Sequence, residues 1–257
     1  MMKALVMFGS KSDADVYKKI ASELKRHKVQ VDLRVLSAHR TPDEVDKAIQ
    51  KDDFDVVIAG AGLSAALPGV IAAKTLKPVI GVPVHNNYSG LDALLSCMQM
   101  PPGIPVLTVG VNQAEIAAQQ ASAMGKGLSR IILIGDKREK AVEKAAATLE
   151  RLGVEFTYAD APADDAINIV FTYFDEPLAP KEELVIYCPL LPKKDDTAEA
   201  ALNILEHSSH GLWVGLNRGE NAAIAAAEIL GDCTDKLWEL RQESKKEVLA
   251  ADKEAQK

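Results

Sequence analysis

The stretch that decides the fold is Ala4-Leu5-Val6-Met7-Phe8-Gly9-Ser10-Lys11, a run of five apolar residues that ends in a turn. An amphipathic helix follows through Leu24, and a second apolar run begins at Val29. The order strand, turn, helix, strand is typical of a parallel βαβ unit, in which the crossover helix covers one face of the sheet.

The same alternation continues through the first half of the chain. We predict strands at about residues 4–8, 29–35, 55–60, 78–82 and 105–110, with helices between them. Strands that read as nearly continuous apolar runs indicate a parallel sheet covered on both faces. The predicted fold class is therefore α/β, a flavodoxin-like three-layer αβα sandwich with a parallel sheet.

A second copy of this pattern occupies the rest of the chain. Ile131-Ile132-Leu133-Ile134 runs into Gly135-Asp136-Lys137, a helix passes through Leu149, and the next strand begins at Val154. The clearest match closes each half, where 109–115 corresponds to 214–220. We predict a duplicated fold, with a domain at residues 1–127 and a degenerate repeat with a C-terminal helix at residues 128–257.

The second copy is shorter than the first. The spacing between matched positions falls from 126 residues at Gly9 and Gly135 to 105 residues at Gly110 and Gly215. The longest loss, 13 residues, follows the second strand, and a loss of 6 residues follows the third. Ligands of open α/β sheets bind at the carboxyl ends of the strands. We therefore expect the first half to carry the site and the second half to keep only the framework.

Composition and charge limit the classes of function. The chain has 257 residues, 47% of them hydrophobic, and a net charge of -7. Nucleic acids and anionic membranes need a basic face, so a small-molecule substrate fits better. The sequence shows neither a signal peptide nor a run of about 18 apolar residues, which predicts a cytoplasmic protein. Cys97, Cys188 and Cys233 have no paired spacing, so neither a disulfide framework nor a zinc site is expected.

Polar residues follow the first predicted strand in Gly9-Ser10-Lys11-Ser12-Asp13. At a helix N-terminus, Ser10 and Ser12 are suited to hold a phosphate, and Asp13 to accept hydrogen bonds from ribose hydroxyls. The alternative is that Ser12 or Asp13 only caps the helix.

A second polar stretch, Ser37-Ala38-His39-Arg40-Thr41-Pro42, follows the second strand. A histidine can both give and take a proton and an arginine is a permanent cation, so His39 and Arg40 suit acid–base chemistry on an anionic substrate. The alternative is a capping turn in which Thr41 or Asp43 starts the next helix and His39 is solvated.

Two further stretches follow the third and fourth strands. The loop 60–69 consists of small residues that let the backbone approach a planar ligand, with Ser64 as a donor, although tight helix–strand packing explains it equally well. Residues 83–90 are candidates for a lid. Residues 98–103 are candidates for an apolar wall, although methionines at such positions more often serve packing.

Two other features are expected to be solvated surface. His207 and His210 have the spacing of a metal-binding pair, but no further ligand pattern completes a site, and we expect them in a loop. The charged stretch Lys193-Lys194-Asp195-Asp196 is expected to face solvent.

Together these motifs resemble the PurE family, whose members are phosphoribosylaminoimidazole carboxylases and N5-carboxyaminoimidazole ribonucleotide mutases. The resemblance is dense over residues 4–111 and supports a tandem duplication with a degenerate second copy. It is carried by Gly9-Ser10-Lys11-Ser12-Asp13, Ser37-Ala38-His39-Arg40-Thr41-Pro42, residues 59–69, Gly81-Val82-Pro83-Val84, Gly90-Leu91-Asp92-Ala93-Leu94-Leu95-Ser96 and Gln99-Met100-Pro101.

The resemblance implies an enzyme of de novo purine biosynthesis that forms 4-carboxy-5-aminoimidazole ribonucleotide (CAIR), with His39 as general acid and base. It implies no metal, biotin or nucleotide cofactor. Because the family assembles as octamers with shared sites, it also implies a homo-oligomer, a tetramer of double chains that mimics an octamer. The implied substrate-binding residues are Ser10, Ser12, Asp13, Ser37, Arg40, Gly62, Ser64, Ala66 and Leu67.

The resemblance leaves the carboxyl donor open between N5-carboxyaminoimidazole ribonucleotide (N5-CAIR) and carbon dioxide plus aminoimidazole ribonucleotide (AIR). The mutase branch usually has a histidine where this chain has Ala66, and Ser64-Ala65-Ala66-Leu67 resembles the branch that uses free carbon dioxide. Arg40 and Gln99-Met100-Pro101 resemble the mutase branch.

Two other functions stay open. The eroded second half suggests a non-catalytic regulator that binds AIR. Loop differences, including a segment 84–90 one residue shorter than usual, suggest a related carboxylase of another heteroaromatic nucleotide.

Overall fold

A computed structural model of the protein describes residues 1–173, 182–191 and 197–256. The charged stretch 193–196 lies outside the described residues. Within the described ranges, no helix has the length and apolar character needed to span a bilayer.

The first half alternates strands and helices as the apolar pattern predicts. The last strand is shorter than the predicted 105–110, because Pro105 has no N–H to donate to a ladder. The elements are β1 (Lys3–Phe8), a 3₁₀ turn (Lys11–Asp13), α1 (Ala14–Arg26), β2 (Gln30–Val35), α2 (Pro42–Gln50), β3 (Val56–Ala61), α3 (Ala66–Ala72), β4 (Val79–Pro83), α4 (Leu91–Met98), β5 (Leu107–Thr108) and α5 (Ala114–Met124).

The described residues of the second half repeat the alternation of strands and helices. Residues 159–165, which connect its second and third strands, contain no helix, whereas the first half has α2 at that point. The elements are β6 (Arg130–Ile134), α6 (Lys140–Leu152), β7 (Phe156–Tyr158), β8 (Ala166–Thr172), β9 (Val185–Pro189), α7 (Thr197–His207), β10 (Leu212–Trp213), α8 (Gly219–Leu230) and α9 (Thr234–Ala255).

The prediction that His207 and His210 lie in a solvated loop is wrong for His207. This residue ends α7, and its Nδ1 atom lies 2.8 Å from the carbonyl oxygen of Asn203, one turn earlier. Both histidines are half-buried.

The strands form a single sheet in the order β2-β1-β3-β4-β5-β10-β9-β8-β6-β7. Every neighbouring pair is parallel except β5 with β10. The order 2-1-3-4-5 in the first half is the flavodoxin order, so the predicted fold class is confirmed. The sequence pattern did not predict that the two halves share one sheet.

The antiparallel junction pairs Thr108 with Trp213. These residues are 105 positions apart, the same spacing as Gly110 and Gly215. Matched positions that face each other in this way are what a local two-fold axis produces. The backbones approach closely here, since a Cβ atom on Gly110 would lie 2.3 Å from the carbonyl oxygen of Ser208. The duplication and the boundary near Gly127 stay predictions.

The core lies on both faces of the sheet. In β1, Ala4, Val6 and Phe8 join a cluster that includes α1 and α5 and continues into the second half. Leu5 and Met7 point to the opposite face, where they join side chains of α2 and α3. This alternation across a fully buried strand gives the predicted three layers.

Helix α9 attaches to the body only near its start. Leu237 is buried, whereas Val248 and Leu249 near the far end are exposed. Between them, Arg241 donates a hydrogen bond of 2.9 Å to Glu228 of α8, and their side chains are 9% and 2% exposed. Burial raises the pKa of Glu228 to about 8, although the Arg241 guanidinium acts to lower it.

We predict that Glu228→Gln flattens the dependence of stability on pH. Because the pKa of Glu228 in the folded chain, about 8, exceeds its ordinary value of 4.5, folding favours the protonated form. This contribution is complete below pH 4.5 and is lost as the pH rises through about 8. The melting temperature of the wild type should therefore fall more steeply between these pH values than that of the variant, whose amide still accepts from Arg241. Equal slopes would contradict the prediction.

Candidate functional site

A cleft of about 460 Å³ opens at the carboxyl ends of β1, β2, β3 and β4. Its walls are the loops that leave these strands and the first turn of α3. All ten residues predicted for the site line this cleft, and their roles stay predictions. They are Ser10, Ser12, Asp13, Ser37, His39, Arg40, Gly62, Ser64, Ala66 and Leu67.

The loop after β1 forms a short 3₁₀ turn that Ser10 caps. The Ser10 hydroxyl accepts a hydrogen bond of 3.2 Å from the Ser12 N–H. The capping residue is therefore Ser10, and not Ser12 or Asp13 as the alternative interpretation expected. The two hydroxyl oxygens lie 2.8 Å apart, and Ser12 also lies 2.9 Å from Asp13 Oδ1. Since Ser12 has a single hydroxyl proton, both contacts are satisfied when Ser10 donates to Ser12 and Ser12 to Asp13.

Asp13 occupies the position before α1 but makes no side-chain capping bond. Its side chain is buried in the wall of the cleft. Desolvation by burial raises the pKa of Asp13, while the hydrogen bond from Ser12 and the charge of Arg40 act to lower it. Asp13 is therefore a buried carboxylate with acceptor capacity toward the cleft.

The loop after β2 is a closed turn that Thr41 holds. The Thr41 hydroxyl accepts from the Ser37 N–H at 2.9 Å, and the Thr41 N–H donates to the Ser37 carbonyl at 2.9 Å. Pro42 then begins α2, where a missing N–H costs nothing. The capping alternative is therefore half right, because Thr41 precedes α2 but turns its hydroxyl to the loop and not to the helix.

His39 and Arg40 project from this turn and are exposed. The Arg40 guanidinium donates a hydrogen bond of 2.7 Å to the Gly9 carbonyl, which fixes it above the loop of β1. The guanidinium thus lies on the Ser10–Asp13 side of the cleft, and His39 lines the cleft next to it in the chain. An imidazole and a fixed cation beside hydroxyl groups can bind an anion and exchange a proton with it.

The expected loop 60–69 is shorter, because α3 begins at Ala66. Pro68 is compatible with this helix since the first turn leaves its N–H groups without acceptors. Ala66 and Leu67 reach the cleft as helical residues, and Ser64 precedes them with a left-handed φ of 45°. A Cβ atom on Gly69 would lie 3.2 Å from the Met100 sulfur, so the packing alternative holds at that end of the segment.

The loop after β4 places His85 and Asn86 in the wall of the cleft. Both belong to the predicted lid segment 83–90 but not to the predicted site residues. The His85 N–H donates to Asn112 at 3.1 Å, and Asn86 accepts from the Tyr88 N–H at 3.0 Å. Their position in the sequence could have indicated the site, because they follow β4, which ends at the same edge of the sheet as β1 and β3.

Asp92, in the first turn of α4, ties two walls of the cleft together. Its carboxylate accepts 2.8 Å from the Asn86 amide and 3.4 Å from the Ser64 N–H. Desolvation acts to raise the pKa of Asp92, but the hydrogen bonds from Asn86 and from the backbone of Ser64 and Ala93 outweigh it and lower the pKa. The ionised carboxylate therefore holds both loops.

None of the three cysteines lines the cleft. Cys97 and Cys188 are buried, and burial raises the pKa of Cys97 to about 12. No group of three His, Cys, Asp or Glu side chains is arranged to hold a metal ion in residues 1–173, 182–191 and 197–256.

The fold and the cleft define a flavodoxin-like α/β protein with a polar small-molecule cleft at the carboxyl edge of its sheet. A sequence model of the AIR carboxylase family matches residues 3–127. The N5-carboxyaminoimidazole ribonucleotide mutase of Methanocaldococcus jannaschii is 52% identical over 113 residues, which are 44% of this chain and 72% of that protein. This chain belongs to the AIR carboxylase family.

Other relatives are also similar to part of the chain. The N5-carboxyaminoimidazole ribonucleotide mutase of Mycobacterium tuberculosis (strain H37Rv) is 39% identical over 161 residues, which are 59% of this chain and 92% of that protein. A crystal structure of Treponema denticola PurE superimposes with a TM-score of 0.43 and 29% identity, covering 47% of this chain and 79% of that one.

We predict that Asp92→Asn loosens the two loops that Asp92 joins. An amide cannot accept on both of its ends, so one of the two hydrogen bonds is lost, at a cost of about 1–2 kcal/mol. Amide hydrogen exchange at Ser64 should accelerate roughly five- to thirty-fold. Asp46→Asn, which removes an exposed ion pair with Lys74, is the control and should leave this exchange unchanged. Unaltered exchange in Asp92→Asn would show that Asp92 does not hold the loops.

Proposed function

We propose that this chain is an N5-carboxyaminoimidazole ribonucleotide mutase of purine biosynthesis, which converts N5-CAIR into CAIR. The observation that carries the proposal is the convergence of ten predicted site residues, from separate loops and the first turn of α3, on one cleft. These residues lie in the segment 3–127 that matches the AIR carboxylase family, and a relative named as a mutase is 52% identical to the chain over 113 residues. A cytoplasmic location belongs to the proposal and rests on the sequence alone.

In this proposal the loops of β1 and β2 hold the ribonucleotide. Ser10 and Ser12 supply hydroxyl groups at the start of α1, and Arg40 supplies a fixed positive charge, a set that suits the phosphate. Asp13 accepts hydrogen bonds from the ribose hydroxyls, since its carboxylate faces the cleft beside these donors. Gly62, Ala66 and Leu67 form an apolar surface of mostly small side chains, against which the planar aminoimidazole ring of the substrate can lie.

His39 donates one proton to N5 and later takes one proton from carbon 4. The protonated imidazole first gives its proton to N5, the N5–carboxyl bond breaks, and carbon dioxide is released beside AIR. Carbon 4 then attacks carbon dioxide, forming the new carbon–carbon bond. Neutral His39 finally removes the proton from carbon 4, so the imidazole ends as it began. Proximity of the freed carbon dioxide to carbon 4 supplies much of the rate.

A second candidate, direct carboxylation of AIR by carbon dioxide, is favoured by Ala66. This residue lines the cleft without the imidazole that the resemblance associates with the mutase branch at this position. In that reaction, carbon 4 attacks free carbon dioxide and His39 takes the proton from carbon 4.

Turnover with two substrates tests these functions. The purified protein is incubated with AIR plus bicarbonate and, separately, with N5-CAIR, and CAIR is followed by its absorbance. The mutase is expected to convert N5-CAIR at limiting bicarbonate, whereas a direct carboxylase needs bicarbonate. Binding of AIR without turnover of either substrate would identify the regulator, and no binding of AIR would point to another heteroaromatic nucleotide.

We predict that His39→Asn lowers turnover by about 10²–10⁴-fold, because the variant cannot carry the proton. Its melting temperature and its affinity for AIR should stay close to those of the wild type, since His39 is exposed. His27→Asn, at the end of α1, is the matched control and should retain activity. Retained turnover in His39→Asn would remove His39 from the reaction.

We further propose that copies of the chain assemble, as a tetramer of double chains, and cover the cleft. The cleft in one chain is open, and apolar side chains around it are exposed, among them Leu63 at 70% and Tyr88 at 71%. A reaction that must retain carbon dioxide needs a more closed site. Light scattering should give the mass of four chains, and dilution to single chains should reduce turnover. Full activity in a sample with the mass of one chain would contradict this proposal.

A further inference from the structure

The short helix α3 touches the cleft at one end and the second half of the chain at the other. Its first two residues, Ala66 and Leu67, line the cleft. Its last residue, Ala72, offers its carbonyl oxygen to Arg241 of α9, which donates a hydrogen bond of 2.6 Å from Nη1. The two residues are 169 positions apart in the chain. Carbonyl groups at a helix C-terminus lack partners in the helix, and a cation there also suits the helix dipole.

Arg241 is itself held in place by Glu228 of α8. The guanidinium donates from Nη2 to Glu228 at 2.9 Å, and both side chains are nearly excluded from solvent. Burying such a pair has a large desolvation cost, and replacement by apolar residues of similar size is often neutral or stabilising. The pair is therefore better explained by the geometry it imposes on α3 than by a gain in stability.

A second buried contact supports α3 from the side. Asn221 of α8 is 1% exposed; its amide donates to the Pro101 carbonyl at 3.0 Å and accepts from the Gly103 N–H at 2.9 Å. The neighbouring Met100 lies against Gly69 in the middle of α3. Side chains of the second half thus hold both the end of α3 and the segment on which α3 rests.

We propose that Arg241 is a positioning residue for the cleft, through which the second half of the chain sets the place of Ala66 and Leu67 against the substrate ring. This inference rests on the proposed function. Helix α3 has seven residues and is about 10 Å long, so Arg241 acts from the far end of the helix without touching substrate. A displacement of about 1 Å at a reacting centre can reduce the rate about a hundredfold, so the position of this helix affects turnover.

The test is the double variant Arg241→Met with Glu228→Met, which removes the guanidinium and the carboxyl group together, so that neither is left buried without its partner. Its melting temperature should equal or exceed that of the wild type. Although the double variant is as stable as the wild type, its kcat/KM for N5-CAIR should fall roughly ten- to hundredfold, with a rise in KM. The reason is that Ala66 and Leu67 are displaced from the substrate ring. Arg241→Lys keeps one donor and should recover part of the loss.

The control is Arg151→Met, which breaks an ion pair that α9 makes through Glu243 within the second half. It should leave kcat/KM unchanged. Wild-type kcat/KM in the stable double variant would overturn the proposal, as would a loss that only follows a fall in melting temperature. If the double variant does not fold, Arg241→Lys decides, and an unchanged kcat/KM there overturns the proposal.

The affinity for AIR, measured by calorimetry, separates this inference from the proposed function. If the wild type binds AIR but turns over neither substrate, the proposed function has failed, and weaker AIR binding by the double variant still supports the positioning role. Equal AIR affinity in both proteins would then overturn that role.

Discussion

The parallel register of β1 with its two neighbours is the constraint on which the cleft depends. Phe8 lies opposite Val35 of β2 and opposite Gly60 of β3, so the chain leaves all three strands at one level. Glycine is required at residue 60, because a Cβ atom there would lie 2.1 Å from the Phe8 ring. With β1 between β2 and β3, its loop meets a loop on each side, and a shift of register would separate the polar groups that now face one cavity.

In each of the two polar loops, one residue stabilises the backbone of the turn and another faces the cleft. Ser10 caps the 3₁₀ turn and Thr41 closes the turn after β2, and these bonds satisfy the local backbone. Asp13 and His39 are not needed to cap these turns, and both line the cleft. A loop at the edge of a sheet has to satisfy its own backbone before it can hold a side chain toward a ligand.

The fold and most of the cleft could be predicted because both depend on short-range patterns. A strand buried on both faces reads as an apolar run, and residues after parallel strands share one edge. His85 and Asn86 were predicted only as part of a lid and not as site residues, because their position depends on the bonds of Asn112 and Asp92 to a loop without periodicity. The junction at Thr108 and Trp213 was missed because a two-residue strand leaves no detectable alternation.

The second half of the chain contributes buried polar contacts to the first half. Gln120 of α5 bonds the backbone of Glu183 and Val185 across the junction, and Asn221 and Arg241 bond backbone carbonyls of the first half in return. Apolar contact between the two halves would allow small displacements, whereas a buried hydrogen bond is lost if its partners move. The second half therefore fixes the geometry of the cleft-bearing half through directional contacts, a role that requires its helices and not a second set of site loops.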